Sequence, residues 1–164
     1  VLYYSRVLDV ELFQKIFKKF GFSIREKYND VSSLFEYDEN ISKKTKEDID
    51  SGMINSFKNK LQKNDSKYNL GDMRLILDLL PDSKNPNGSK RYQAINALKE
   101  LNIFINDEIG GIPKELITKI QKLISEYRNP SAHVGIIDKK EAKTFFENYK
   151  NLMNELIGLF NKIN

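Results

Sequence analysis

The feature that most constrains this chain is the spacing of its apolar residues, which recur every three or four positions along most of its length. Such spacing places apolar side chains on one face of an α-helix. The pattern is clearest over residues 138–163, where Glu141 follows Asp138 at the spacing of a capping box and marks the start of the last helix. The stripe of this helix contains Ala142, Phe145, Phe146, Tyr149, Leu152, Met153, Leu156, Leu159, Phe160 and Ile163.

The same spacing predicts further helices before the last one. One begins with Pro113 at its first helical position and ends near Arg128, because Pro130 disfavours helix at the residue before it. The others are expected over residues 9–20 (ending at Gly21), about 46–62, 70–80 and 89–104, with a shorter helix within 22–35. Polar segments 37–45, 81–88 and 106–112 are expected to connect them. The only strand-like run, 101–105, also continues a helical pattern, so the expected fold is an all-α bundle of about five to seven helices.

Composition excludes several classes of site. The chain has no cysteine and one histidine, which excludes disulfides, thiolate metal sites and multi-histidine metal sites, so no metal and no cofactor are expected. No apolar run is long enough for a transmembrane helix, and the absence of cysteine fits a cytoplasmic protein. The formal charge of +4, concentrated in the second half, slightly favours a nucleic-acid partner. Because the chain begins with Val1, we expect a fragment of a longer protein.

The residues best suited to chemistry lie on the short connection between the last two predicted helices. Arg128, Asn129 and His133 stand there within the sequence RNPSAH. A guanidinium group can grip a phosphate with its planar fork of donors, and an imidazole can transfer protons near neutral pH. Without a metal, the two groups could assist attack of a ribose 2′-hydroxyl on the neighbouring phosphodiester.

This segment resembles the R-x(4–6)-H signature of HEPN domains, including the polar residue that commonly follows the arginine. The resemblance covers residues 65–164 and leaves 1–64 as an N-terminal helical extension of unknown role. It implies a HEPN-like helical fold and a metal-independent endoribonuclease, as in CRISPR-associated effectors, abortive-infection proteins, toxins and anticodon nucleases of bacterial defence. Arg128 would bind the scissile phosphate, His133 would transfer protons or orient the 2′-hydroxyl, and Asn129 would hold the motif or the RNA. In one toxin subgroup a modified tyrosine stands two residues after the histidine; here that position is Gly135.

The resemblance also implies partners. Two copies of a HEPN domain form one composite cleft, so a homodimer acting on RNA is expected, with a possible sensor domain in the missing upstream sequence. Lys139, Lys140 and Lys143 follow the motif at a position where RNA phosphates could run, although short lysine runs are usually only solvated surface.

Other interpretations of these residues remain open. His133 could cap a helix or bond to a backbone carbonyl, Arg128 could neutralise a helix C-terminus, and Asn129 could be an ordinary C-cap. Accordingly, the function could instead be that of a non-catalytic HEPN-like module for dimerisation or RNA binding, or of an unrelated helical interaction domain.

Overall fold

A computed structural model describes residues 2–35, 51–63, 68–80, 94–125 and 138–161. The helices, in chain order, are α1 (Leu2–Leu12), a π-helical segment (Phe13–Phe17), α2 (Lys18–Lys27), a 3₁₀ turn (Val31–Phe35), α3 (Ser51–Gln62), α4 (Leu70–Asp78), α5 (Ile95–Ile109), α6 (Lys114–Leu123) and α7 (Lys139–Phe160). Throughout these ranges the regular elements are all helical, which confirms the all-α bundle. The predicted connections 37–45 and 81–88, and the predicted helix start at Ser89, lie outside the described residues.

The buried side chains of these helices form one hydrophobic cluster. α1 packs on α4, α2 lies against α3 and α5, α4 lies against α6, and α6 packs on α7. Cluster members such as Phe20 and Phe57 come from the N-terminal extension, whereas Leu77, Leu101 and Leu156 come from the region that resembles HEPN domains. The expected domain boundary after residue 64 falls outside the described ranges and stays a prediction.

The first predicted helix was too short, because Gly21 does not end it. Helical backbone runs from Leu2 through Lys27, and Gly21 is buried inside α2. The side chain of Arg25 folds back over Gly21, and a Cβ there would lie 3.2 Å from the Arg25 Nη1 atom. The glycine therefore allows a close approach of the Arg25 side chain within the helix. From the sequence alone, the same glycine was interpreted as the end of the helix.

The π-helical segment is explained by an apolar repeat whose spacing is wider than one turn of an α-helix. Leu8, Leu12, Ile16, Phe20 and Ile24 are spaced four residues apart and are all buried. With 3.6 residues per turn, such a repeat drifts by about 40° at each step along an α-helix. The wider i→i+5 turn over Phe13–Phe17 offsets part of this drift, so the stripe stays on the core.

The connection between α5 and α6 is shorter than predicted. Residues 106–112 were expected to be a linker, but α5 continues to Ile109, because Ile105 and Ile109 extend its buried face. Gly110 then takes a left-handed φ of 72°, and its N–H donates to the carbonyl of Asn106. Pro113 is the residue before α6 rather than its first helical residue, one position from the prediction.

A partly buried charge cluster joins α2 to α5. The Nζ atom of Lys27 lies 2.7 Å from a Glu100 carboxylate oxygen, and the Tyr28 hydroxyl donates to the other oxygen over 2.6 Å. Burial opposes ionisation of Glu100, but the hydrogen bonds from Lys27 and Tyr28 outweigh it and lower the pKa of the carboxyl group. The bond to Glu100 also raises the pKa of Tyr28, because its hydroxyl must keep the proton that it donates.

Candidate functional site

The motif residues Arg128, Asn129 and His133 lie outside the described residues, so the structure gives the frame that carries them and not their geometry. Ser125, two residues after α6, and Asp138, directly before α7, are the nearest described residues on either side. The structure has the two helices that were predicted on either side of the motif, while the arrangement of the motif's own residues stays a prediction.

The two flanking helices pack on each other in an antiparallel pair. Lys119, in the middle of α6, places its Nζ atom 2.6 and 2.8 Å from the carboxylate oxygens of Glu155 in α7. Pro113, at the start of α6, lines the same crevice as Leu159, near the end of α7. Buried side chains from both helices fill the contact: Leu116, Ile120, Leu123, Leu152 and Leu156.

The first turns of α7 extend beyond the described end of α6. Only four residues of α6 follow Lys119, whereas sixteen residues of α7 precede Glu155. Antiparallel packing therefore leaves the N-terminal part of α7 without α6 beside it. The segment that contains Arg128 and His133 must connect Ser125 to that protruding end. The motif is therefore tied at both ends to one packed hairpin.

A capping box fixes the direction in which the chain enters α7, as the sequence predicted. The Asp138 carboxylate accepts the Glu141 N–H at 2.8 Å, and the Glu141 carboxylate accepts the Asp138 N–H at 3.2 Å. These two bonds satisfy free N–H groups of the first turn. The residue that ends the motif segment therefore has a defined backbone conformation, with φ −70° and ψ 169°.

Lys139, Lys140 and Lys143 are exposed on the first two turns of α7. Among the described residues they take part in no ion pair. The helix dipole places partial positive charge at the N-terminus, so anions are favoured there and cations are not. The three ammonium groups and the dipole together make a positive surface next to the motif segment.

A polar groove of about 500 Å³ runs between α6 and α7 and was missed by the sequence analysis. Three asparagines of α7 line it at three-residue spacing: Asn148, Asn151 and Asn154. Lys119 and Lys122 line it from α6. The amides can donate and accept hydrogen bonds. Lys122 adds positive charge, whereas the charge of Lys119 is offset by Glu155, which also lines the groove. The asparagine spacing was a visible signal, because it marks one polar face beside the apolar stripe.

Phe146, which belongs to the predicted apolar stripe of α7, does not face the core. Phe146 leaves 45% of its surface exposed, whereas Phe145 is 2% exposed. The ring of Phe145 stacks on Tyr149 with centroids 6.0 Å apart. The stripe that faces the core is thus narrower than the sequence pattern suggested, because adjacent residues on a helix are about 100° apart.

Within the described parts of the chain, no group of three or more His, Asp or Glu side chains is arranged to hold a metal ion. The acidic residues Glu47, Asp48 and Asp50, which sequence analysis placed in the first turn of a helix, lie outside those parts. Over the same described ranges, no helix has the length and apolar character needed to cross a membrane.

Comparison of the chain with protein-family models, curated proteins and solved structures finds no match. The function must therefore be inferred from the motif, its helical frame and the polar surfaces around it.

Proposed function

We propose that this chain is a HEPN-like, metal-independent endoribonuclease domain. The observation that carries the proposal is the position of Arg128, Asn129 and His133 on the connection between two packed antiparallel helices, α6 and α7. Catalytic groups need a supporting frame that holds them in one geometry. Two packed helices that hold both ends of the connecting segment provide such a frame. The exposed lysines at the start of α7 support the same assignment, since they add positive charge where RNA phosphates would approach.

In the proposed reaction, the substrate supplies its own nucleophile. His133 takes the proton from a ribose 2′-hydroxyl as its oxygen attacks the adjacent phosphorus, and the bond to the 5′-oxygen of the next nucleotide breaks. That leaving oxygen acquires a proton, and the products are a 2′,3′-cyclic phosphate and a 5′-hydroxyl end. Arg128 stabilises the charge on the phosphate, and Asn129 holds the motif or the RNA. Two copies of the chain would form the cleft, in a cytoplasmic protein of bacterial defence.

An RNA cleavage assay in EDTA tests this proposal. The wild-type chain is expected to cut RNA and not DNA, because DNA lacks the 2′-hydroxyl. His133→Ala and Arg128→Ala should each slow cleavage by about 100- to 10,000-fold, which is the usual contribution of a positioned proton-transfer group. Arg128→Lys should also fail, because an ammonium group cannot replace a planar fork, whereas Asn129→Ala should cost less.

Ser131→Ala is the matched control, since it changes the same segment without removing a proposed catalytic group. It should retain cleavage, and all variants should keep the helix content of the wild type. Full activity of His133→Ala would contradict the catalytic assignment. Light scattering provides a separate check, because a composite cleft requires a dimer at micromolar concentration.

The groove between α6 and α7 favours a second candidate, a non-catalytic module that binds RNA or a second copy. Its lining of asparagines and lysines can make hydrogen bonds without performing any reaction. In that case RNA would bind without being cut, and Asn151→Ala would weaken binding more than His133→Ala does. Cleavage that depends on His133 would instead support the nuclease.

A further inference from the structure

A second polar feature lies far from the motif in sequence, within the N-terminal part of the bundle. Lys18 and Arg25 of α2, Lys60 of α3 and Lys63 just after α3 line one narrow crevice, whose remaining walls are Phe13, Phe17, Gly21 and Tyr68. We call it the basic crevice. Among its lining residues, four are cations and none is acidic. One of these cations, Lys60, pairs with Asp72 at 3.1 Å.

Tyr68 supplies an independent sign that the basic crevice receives a ligand. The residue is 5% exposed, and its hydroxyl is buried without a hydrogen-bond partner among the described residues. Leaving such a group unpaired in a protein interior costs about 1–3 kcal/mol. Burial raises the pKa of Tyr68, so the hydroxyl keeps its proton. It can therefore donate a hydrogen bond to an oxygen atom of a ligand.

The ring of Tyr68 is held in place by its neighbours. Its centroid lies 4.8 Å from that of Phe17, 6.3 Å from Phe13 and 6.5 Å from Phe57. The Nζ atom of Lys60 lies over the same ring at 5.3 Å. The hydroxyl therefore has little freedom to turn toward solvent, and its orientation is set before any ligand arrives.

Arg25 is positioned by three contacts, one of which places its guanidinium carbon 5.1 Å from the centroid of the Phe22 ring. Its Nη1 atom donates to the carbonyl of Leu61 at 3.0 Å, and its guanidinium lies close against Gly21, where any side chain would press on it. Glycine inside a helix costs about 0.5–1 kcal/mol relative to alanine, so its presence here implies a use for the space. That use is to let the guanidinium reach the crevice.

We propose that the basic crevice binds a phosphate group, with one phosphate oxygen inserted beside the Tyr68 hydroxyl and the rest held at the mouth by Lys18, Lys63 and Arg25. The free space within the crevice is about 10 Å³, which is the room that one water-sized group needs. A whole phosphate is larger than that, so only one of its oxygens enters. Carboxylates are a poorer fit, because they present two oxygens to four cations where a phosphate presents more.

The test uses the whole chain in chloride buffer, with inorganic phosphate as the probe and sodium chloride at matched ionic strength as the reference. Wild-type protein should bind phosphate in calorimetry and show a saturable rise in Tm, because a ligand that binds only the folded state stabilises it. Without phosphate, Tyr68→Phe should be as stable as the wild type or more so, since it removes the unpaired hydroxyl. Its affinity for phosphate should fall by at least about tenfold.

The charged residues give a second set of variants that do not disturb the core. Lys18→Gln and Lys63→Gln, both at exposed positions, should each weaken phosphate binding several-fold. Lys99→Gln is the matched control, because Lys99 is exposed on α5 and does not line the crevice. The proposal is overturned if wild type and Tyr68→Phe bind phosphate equally, or if chloride alone reproduces the rise in Tm.

Two further probes identify the source of the phosphate group. Loss of single-stranded RNA binding in Tyr68→Phe would assign the crevice to a phosphodiester, whereas loss of 5′-mononucleotide binding alone would assign it to a small phosphorylated compound. His133→Ala should bind inorganic phosphate as the wild type does. The phosphate proposal and the ribonuclease proposal can therefore fail independently of each other.

Discussion

The rings around Tyr68 and the α6–α7 hairpin hold their polar groups in opposite ways. Around Tyr68, aromatic rings enclose one hydroxyl and leave it without a described partner, and cations gather at the opening. In the hairpin, aliphatic side chains form the contact, while the lysines and asparagines lie on its outer side. Substitutions near Tyr68 should therefore affect folding and binding together, whereas those on the outside of the hairpin should affect mainly binding and change stability only slightly.

The largest expected effect is the loss of an aromatic ring next to Tyr68. Phe57 is 1% exposed and contacts both Phe35 and Tyr68, with centroids 5.6 and 6.5 Å apart. Phe57→Ala should lower the free energy of unfolding by about 3–5 kcal/mol, because it removes buried surface and leaves a cavity. Urea denaturation measures this. Ile103→Ala, at a side chain that is 52% exposed, is the control and should change stability by less than about 0.5 kcal/mol.

A charge reversal on the hairpin should change binding and stability in opposite directions. With Lys139, Lys140 and Lys143 all changed to Glu, RNA affinity should fall by more than about tenfold at low salt, and its salt dependence should become less steep. The unfolding midpoint should rise slightly, since acidic residues suit a helix N-terminus. Lys150→Glu, exposed further along α7, is the control for binding. Unchanged affinity in the triple variant would place the RNA path elsewhere.

Acid should weaken the bond between α2 and α5. The pKa of Glu100 is lowered in the folded state, so the ionised carboxylate adds stability above the pKa that it has when unfolded, and this is lost as pH falls through the folded value. Glu100→Gln should cost about 1 kcal/mol at pH 7. The difference between wild type and variant should shrink as pH falls below about 4.3, the pKa of an unfolded Glu, and should be gone below the folded value. A constant difference down to pH 3 would mean that packing, and not charge, is responsible.

The smallest effect is expected from the exposed ion pair of the hairpin. Lys119 and Glu155 are about half exposed, and pairs of this kind typically contribute about 0.2–1 kcal/mol. A double-mutant cycle with Lys119→Ala and Glu155→Ala should give a coupling energy in that range, which shrinks at high salt. A coupling above about 2 kcal/mol would show that the hairpin depends on this pair and not mainly on its aliphatic contact.

The parts of the fold that could be predicted are those determined by neighbours in sequence. The capping box at Asp138 and Glu141 needs only residues three apart, and the structure confirms it. Gly21 shows the opposite case. Its surroundings depend on the side chain of Arg25 and on the carbonyl of Leu61, which is distant in sequence, so a local rule could not foresee a buried helical glycine.

The two proposed sites divide in the same way. The motif at Arg128 and His133 could be found because its residues are close in sequence, and its side chains lie outside the described residues. The basic crevice could not be found, because it joins Lys18 and Arg25 to Lys63 and Tyr68 across several helices. The packing of α2 against α3 brings the cations together, and the contact between Phe17 and Tyr68 places the tyrosine beside them.

The π-helical turn over Phe13–Phe17 has a consequence for how this chain can vary in length. Removing one residue there would allow an ordinary α-helix, whose backbone is easier to form. The i→i+5 turn spans one residue more than the i→i+4 turn of an α-helix, so the helices on either side would keep their orientation relative to each other. Gly21 and Arg25 would stay at the crevice, and Leu8 and Leu12 would stay in the core. A related chain could therefore lack one residue at this point and keep the crevice.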